Sequence, residues 1–188
     1  MNKIRNIILI GKTGAGKSTL GNLLVNKNGK FEDVFKTSAG SVSETKKYQG
    51  EELETDGIKY RIVDTIGLGD TKLMTKEVFF ELADAIRNYF KDDGINQVLF
   101  VIDGRFTQED LQDLAVLKVV IFDEELAKFT TIVRTRFPEF DDQGACDEDI
   151  QALRDENPEL NSLISSISPN NIIHTDAPEK NYEGWEED

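Results

Sequence analysis

Eight consecutive residues, Gly11-Lys12-Thr13-Gly14-Ala15-Gly16-Lys17-Ser18, carry the first chemistry that can be named. They fit the Walker A pattern G-x-x-x-x-G-K-[ST] and follow directly on the apolar run Ile7-Ile8-Leu9-Ile10, where a loop between a buried strand and a helix must lie. The glycines let the backbone fold closely enough for successive N–H groups, from Lys12 to Thr19, to face phosphate oxygens, and the helix that follows adds its positive N-terminal end. Lys17 is expected to reach the β and γ phosphates, and the Ser18 hydroxyl to ligate Mg²⁺. Farther along, Asp64-Thr65-Ile66-Gly67 fits D-x-x-G. Asp64 is expected to hold the Mg²⁺ shell through water, while the Gly67 N–H touches the γ-phosphate and so senses it. Between these motifs the polar run Thr37 to Thr45 offers hydroxyls to the metal, Ser43 first and Thr45 second, against the plainer reading of a solvated loop.

These residues need a scaffold, and the pattern supplies one. Apolar runs alternate with helix-period segments, as in an α/β fold with a mostly parallel sheet between two layers of helices. Strands are expected near 5–10, 45–53, 59–64, 95–102, 129–135 and 171–175. Ile7 to Ile10, Val98 to Ile102 and Thr130 to Val133 are continuous apolar or β-branched stretches, which places them at the centre of the six-stranded sheet. The charged segment 45–53 joins 59–64 through Asp56-Gly57, a hairpin dipeptide, so that pair is expected to be antiparallel and at an edge. Val78, Phe79, Leu82, Ile86, Tyr89 and Phe90 recur at helical spacing, as do Leu111, Leu114, Ala115, Val119 and Phe122. Asn157-Pro158 divides a helical region near 147–167 into two short helices.

Gly104-Arg105-Phe106-Thr107-Gln108-Glu109-Asp110 is the more specific signature. Thr107 is suited to cap a helix whose first turn carries Glu109 and Asp110, where negative charge complements the helix dipole. With Gly11 to Thr19, Ser41-Val42-Ser43 and Asp64 to Gly67, this box resembles that of the AIG-type G domains, the immunity-associated group related to septins and chloroplast import receptors. The resemblance covers roughly residues 5–135. It implies a three-layer, Ras-like P-loop fold with sheet order 2-3-1-4-5-6, GTP or GDP as ligand with Mg²⁺, and nucleotide-dependent self-association through the face that carries the nucleotide. In import receptors the matching arginine lies at the dimer interface, so Arg105 is expected to act in trans or at that interface, with a local salt bridge as the alternative. Lys17, Gly67 and Arg105 make up the expected catalytic set.

The base end departs from the usual pattern. G domains read guanine with N/T-K-x-D after the fifth strand. Thr135-Arg136 resembles the opening pair, but Pro138 stands where the Asp belongs. Glu139, Asp141 or Asp142 would have to supply the carboxylate, with Glu139 the first choice, while the Arg136 guanidinium can stack on the purine. His174-Thr175-Asp176-Ala177 follows the last strand, and His174 and Asp176 are candidate base contacts, although a packed histidine is the plainer reading. Leu68 follows the D-x-x-G where efficient enzymes of this kind place a water-orienting glutamine, so slow hydrolysis by a monomer is expected.

Thirty-six acidic against 22 basic residues, a formal charge of −14, exclude nucleic-acid or anionic-membrane binding through a general positive field. Cys146 is the only cysteine, so no internal disulfide forms and a cytoplasmic compartment is expected. The domain is expected to span 1–178, with an acidic tail over 179–188. Little room follows the sixth strand for a terminal helix; a shortened chain and a strip of sheet covered by a partner both fit. Two functions suit these residues: a GTP/GDP switch with slow hydrolysis and nucleotide-dependent dimerisation or oligomerisation, and a nucleotide-clamped scaffold with negligible hydrolysis. A P-loop kinase or ATPase accounts for the Walker A residues alone, whereas a P-loop NTPase of relaxed specificity stays open because Pro138 stands in the usual Asp position.

Overall fold

The computed structural model describes residues 4–26, 33–36, 48–68, 76–90, 94–104, 106–117, 126–156, 158, 161–162, 165 and 172–176. Six strands, β1 (Arg5–Gly11), β2 (Gln49–Thr55), β3 (Ile58–Asp64), β4 (Gln97–Asp103), β5 (Thr130–Thr135) and β6 (Ile172–His174), form one sheet in the order β2-β3-β1-β4-β5-β6. Only the β2/β3 pair is antiparallel. Its turn is Asp56-Gly57, both at positive φ (54° and 73°), as a tight two-residue hairpin connection requires. β2 starts at Gln49, later than the expected 45, and residues 45–47 lie outside the described set.

The helices are α1 (Lys17–Val25), α2 (Lys76–Tyr89), α3 (Gln108–Leu117), α4 (Leu126–Phe129) and α5 (Gln143–Glu156). Strand side chains alternate between the two faces. Ile8, Ile10, Val98, Phe100, Ile102 and Ile132 join Leu82 and Ala85 of α2, Leu114 and Leu117 of α3 and Leu153 of α5 in the largest core cluster. On the opposite face Leu9 and Ile62 meet Leu20 and Leu24 of α1 and the fully buried Phe35. Asn22 of α1 holds Phe35 by both backbone groups, accepting from its N–H at 2.7 Å and donating to its carbonyl at 2.8 Å. That fixes the chain just ahead of the hydroxyl run; residues 37–47, with Ser43 and Thr45, lie outside the described residues.

Two helix boundaries depart from the sequence pattern for a local reason. α5 starts at Gln143 rather than 147, because Asp142 caps it, its Oδ1 accepting from the N–H groups of Gly144 (2.8 Å) and Ala145 (3.2 Å). It ends at Glu156, just before Asn157-Pro158. α3 opens with a reciprocal cap: the Thr107 N–H donates to Asp110 Oδ2 at 2.7 Å and the Asp110 N–H to Thr107 Oγ1 at 3.3 Å. Val119 and Phe122 of the expected α3 stripe fall outside the described residues. Among the described residues, no helix is long and apolar enough to cross a membrane.

Candidate functional site: a phosphate loop and its base end

β1 and β4 run parallel through the core and end side by side, with Gly11 paired to Val101, so the loop after β1 emerges at the carboxyl edge of the sheet. The turn into α1 requires a left-handed residue, supplied by Gly16 at φ 92°. Lys17 opens α1 with its side chain buried, its Nζ donating to the Lys12 carbonyl at 2.9 Å. Burial pulls its ammonium down to about 8, against the opposing pull of Asp64. An anion brought to this amine restores the charge that burial disfavours.

Ser18 donates through Oγ to Asp64 Oδ2 at 2.6 Å, while Asp64 Oδ1 is buried with no hydrogen-bond partner. Burial raises the Asp64 carboxyl above its usual range, although its hydrogen bond from Ser18 and the Lys17 charge oppose the shift. A buried, unsatisfied carboxylate oxygen beside a serine hydroxyl is suited to a hard cation. The described residues contain no group of three or more His, Cys, Asp or Glu able to hold a metal alone. The Asp64 and Ser18 oxygens fit Mg²⁺, which commonly uses one or two protein oxygens and completes its shell with phosphates and water.

The D-x-x-G segment is attached to this loop. Thr65 Oγ1 donates to the Leu9 carbonyl at 2.7 Å. Beyond it the Leu68 N–H donates to Gly11 O at 3.0 Å, and the Thr13 N–H to Leu68 O at 3.3 Å. Gly67 is thereby brought so near the loop that a Cβ would lie 2.1 Å from Thr13 Oγ1 and 2.5 Å from Thr13 Cα. The Leu68 side chain is 2% exposed and belongs to the core, so this position presents no polar group to water.

Lys12 ties the loop to α3. Its Nζ donates to Thr107 Oγ1 at 2.8 Å and pairs with Glu109 and Asp110, both at 3.2 Å. Partial burial works against the Lys12 charge, but Asp110 and Glu109 outweigh it and raise the ammonium above its usual value. Behind them, burial pushes the Asp113 carboxyl up to about 6, with Lys12 opposing and the neighbouring carboxylates adding. Arg105 lies outside the described residues, in the connection between β4 and α3.

At the end where the sequence places the base contacts, a pocket of about 70 Å³ lies between Gly16, Thr19, Leu20 and Leu23 on one side and Thr135, Arg136 and Thr175 on the other. Thr135 Oγ1 reaches Ala15 O at 2.8 Å and Ile102 O at 3.1 Å, joining β5 to the phosphate loop. Arg136, at φ 53°, pairs with Asp103 through Nη1 and donates through Nη2 to Gly14 O at 3.3 Å. A second cavity, about 300 Å³, lies on the other side of this arginine, bounded by residues 12–15, Asp103 and Asp110.

The carboxylate candidates part company here. Asp142 is occupied as the α5 cap, while Glu139 and Asp141 are exposed. His174 is buried, its Nε2 2.8 Å from Asp149 of α5, and does not line the pocket; the half-buried Asp176 follows it. Thr175 and Asp103 were not among the candidates from sequence. Strand alternation signals the first, because His174 shares the buried face of Ile172 and leaves Thr175 on the other. Nothing local signals Asp103, whose arginine partner is 33 residues away.

A mostly parallel sheet in this order, a phosphate loop between β1 and α1 and a D-x-x-G after β3 define a P-loop GTPase fold. The AIG1 family pattern matches residues 5–181, and the chain belongs to that family. Immune-associated nucleotide-binding protein 3 of Arabidopsis thaliana is 31% identical over 135 residues, which is 70% of this chain and 38% of that protein. Immune-associated nucleotide-binding protein 8 of the same plant is 27% identical over 183 residues, 96% of this chain and 49% of that protein. The chain thus spans less than half the length of these curated relatives. Among solved structures, Arabidopsis thaliana Toc33 in complex with Mg²⁺ and GMPPNP superposes with a TM-score of 0.67 at 19% identity, over 96% of this chain and 73% of that one, a likeness of fold.

Proposed function

We propose that this chain binds GTP and GDP with Mg²⁺ and works as a nucleotide-dependent assembly switch with slow hydrolysis. The observation that carries the reading is the buried pair of Lys17 and Asp64 with the half-buried Ser18, an unsatisfied Asp64 oxygen lying beside the serine hydroxyl. Bound Mg²⁺ would supply charge neutralisation at the β and γ phosphates. In this reading Ser18 and Asp64 hold the metal, with Ser43 as a further ligand, and Lys12 to Thr19 cradle the phosphates. Lys17 pairs with their charge and Gly67 reports the terminal one. Thr135, Arg136 and Glu139 form the base end, with Asp176 beside them; His174 acts from behind. Solved complexes of Toc33 with GDP and Mg²⁺ support the choice of ligand.

Hydrolysis takes GTP and water to GDP and phosphate, the bridging oxygen leaving with GDP. With Leu68 packed in the core, no side chain at that position can orient the water. We therefore propose that Arg105 of a second copy assists, in line with the Toc33 and psToc159 work in which dimerization is important for GTPase activity. Phosphate release per molecule, followed with Mg²⁺ and GTP over rising protein concentration, is expected to climb steeply. Arg105→Ala should lower the concentrated rate on the order of 10³-fold. A flat rate in the wild type would contradict the switch. The burial of Leu68 favours a second reading, a GTP-clamped scaffold, which predicts GTP binding with no release at any concentration.

A further inference from the structure

The residues behind the base end form a cluster that the phosphate chemistry does not use. Arg134 and His174 are register partners in the parallel β5/β6 pair, so both side chains leave the same face of the sheet. Asp149, on the α5 turn above them, takes both: Arg134 pairs through Nη1 with one carboxylate oxygen, and His174 Nε2 lies 2.8 Å from the other. All three side chains are largely buried. Phe137 closes the cluster, its ring centroid 5.0 Å from the Arg134 guanidinium carbon and 4.7 Å from the His174 ring.

The backbone follows the same anchors. The Phe137 N–H donates to Thr175 O at 3.3 Å, and the Thr175 N–H to Arg134 O at 2.9 Å. Only Thr135 and Arg136 lie between the anchored Arg134 and the anchored Phe137. Arg136 takes a left-handed φ of 53°, a conformation that a non-glycine residue holds only where its surroundings fix it. With that backbone set, the guanidinium lies between Asp103 and Gly14 O, and Thr135, Arg136 and Thr175 together form one wall of the base pocket.

We propose that Arg134, Asp149, His174 and Phe137 are positioning residues for the base end, fixing the Thr135-Arg136 and Thr175 wall so that nucleotide affinity depends on side chains that never touch the nucleotide. The inference rests on the nucleotide-binding reading above. It assigns these four a role in base affinity, separate from the phosphate loop, in a chain where Pro138 stands in the usual Asp position.

The test is calorimetric titration of the full chain with Mg²⁺-GDP and with Mg²⁺-pyrophosphate, a ligand that has phosphates and no base. Phe137→Ala is expected to lose roughly tenfold in GDP affinity while pyrophosphate affinity stays within about twofold, and Phe137→Tyr, which keeps the ring, to restore the GDP value. Should Phe137→Ala not fold, Asp149→Asn, of nearly the same volume, carries the test and should show the same selective loss. Equal losses for both ligands, or no loss for either, would overturn the inference while leaving the nucleotide reading in place. A wild-type protein that binds pyrophosphate as tightly as GDP would overturn the inference and the base-end assignment together. Failure of the wild type to bind either ligand would overturn the nucleotide reading itself.

Discussion

The two ends of the site are built in different ways. The phosphate end is a short, contiguous stretch, Gly11 to Ser18, whose main chain and buried lysine hold their conformation through bonds within the loop and to Asp64 and Leu68. The base end is assembled from separate segments, with residues after β5 and β6 forming a wall that faces α1, and that wall is held by side chains standing behind it, one of them on α5. A single loop with a fixed task leaves little freedom of sequence, since only glycine suits Gly16 and only a buried amine suits Lys17. A wall held from behind can change its front residues while its supports keep their geometry. The family's usual motif is intact at the first end and altered at the second, in keeping with that difference.

The largest effect that would sharpen the contrast is expected from Lys17→Met. Removing the amine should cost about 100-fold in affinity for GDP and pyrophosphate alike, a loss of one strong charged contact. Because burial already pulls this ammonium down to about 8, the variant should melt no lower than the wild type in the absence of ligand. A loss confined to GDP, measured by the same titrations, would break the division into two ends.

Gly67→Ala is expected next. Its Cβ would meet Thr13 backbone at 2.5 Å, which backbone must move to relieve, at about 1–3 kcal/mol. A fall of several degrees in Tm checks this, and an unchanged Tm would show that the D-x-x-G segment is not held against the loop.

The smallest effect belongs to the base end. Burial, and then the Arg134 charge, hold the His174 imidazole below its usual 6.5, with Asp147 opposing. The unfolded chain therefore takes up this proton more readily, so the stability attached to neutral His174 is complete above about 6.5 and is lost as pH falls below it. Neutral His174 donates its Nε2 proton to Asp149 while Arg134 balances the carboxylate. His174→Asn should flatten that part of the Tm-against-pH curve, and an unchanged slope would show that the ring titrates freely.

How far the sequence could be read follows the same division. The central strands, the antiparallel edge and the Asp56-Gly57 turn were legible because apolar runs and a two-residue turn are local signals, whereas the full sheet order was implied only by the family resemblance. Lys17, Ser18 and Asp64 were legible because motif and strand context agree, and the structure brings them together. The bond of Lys12 to Thr107 and Glu109 was not, since it joins residues 95 and 97 positions apart and depends on the loop meeting the first turn of α3. Asp142 stood as one of three alternatives for the base-reading carboxylate, behind Glu139, because helix caps and ligand carboxylates use the same residue type. His174 stood as a candidate base contact against the plainer reading of a packed histidine, and the register of β6 together with its burial gives the packed one. Asp149 carries no sequence signal of its own; only the docking of α5 gives it two partners.

The most direct measurement is titration of nucleotide-free protein with GDP and with ADP in Mg²⁺. A P-loop protein with a guanine-reading base end binds both through the same phosphate loop and separates them by the base alone, so GDP should bind more tightly by roughly tenfold or more. Equal affinity for the two would contradict guanine recognition at Thr135, Arg136 and Glu139. Absence of binding to both would contradict the account at its phosphate end.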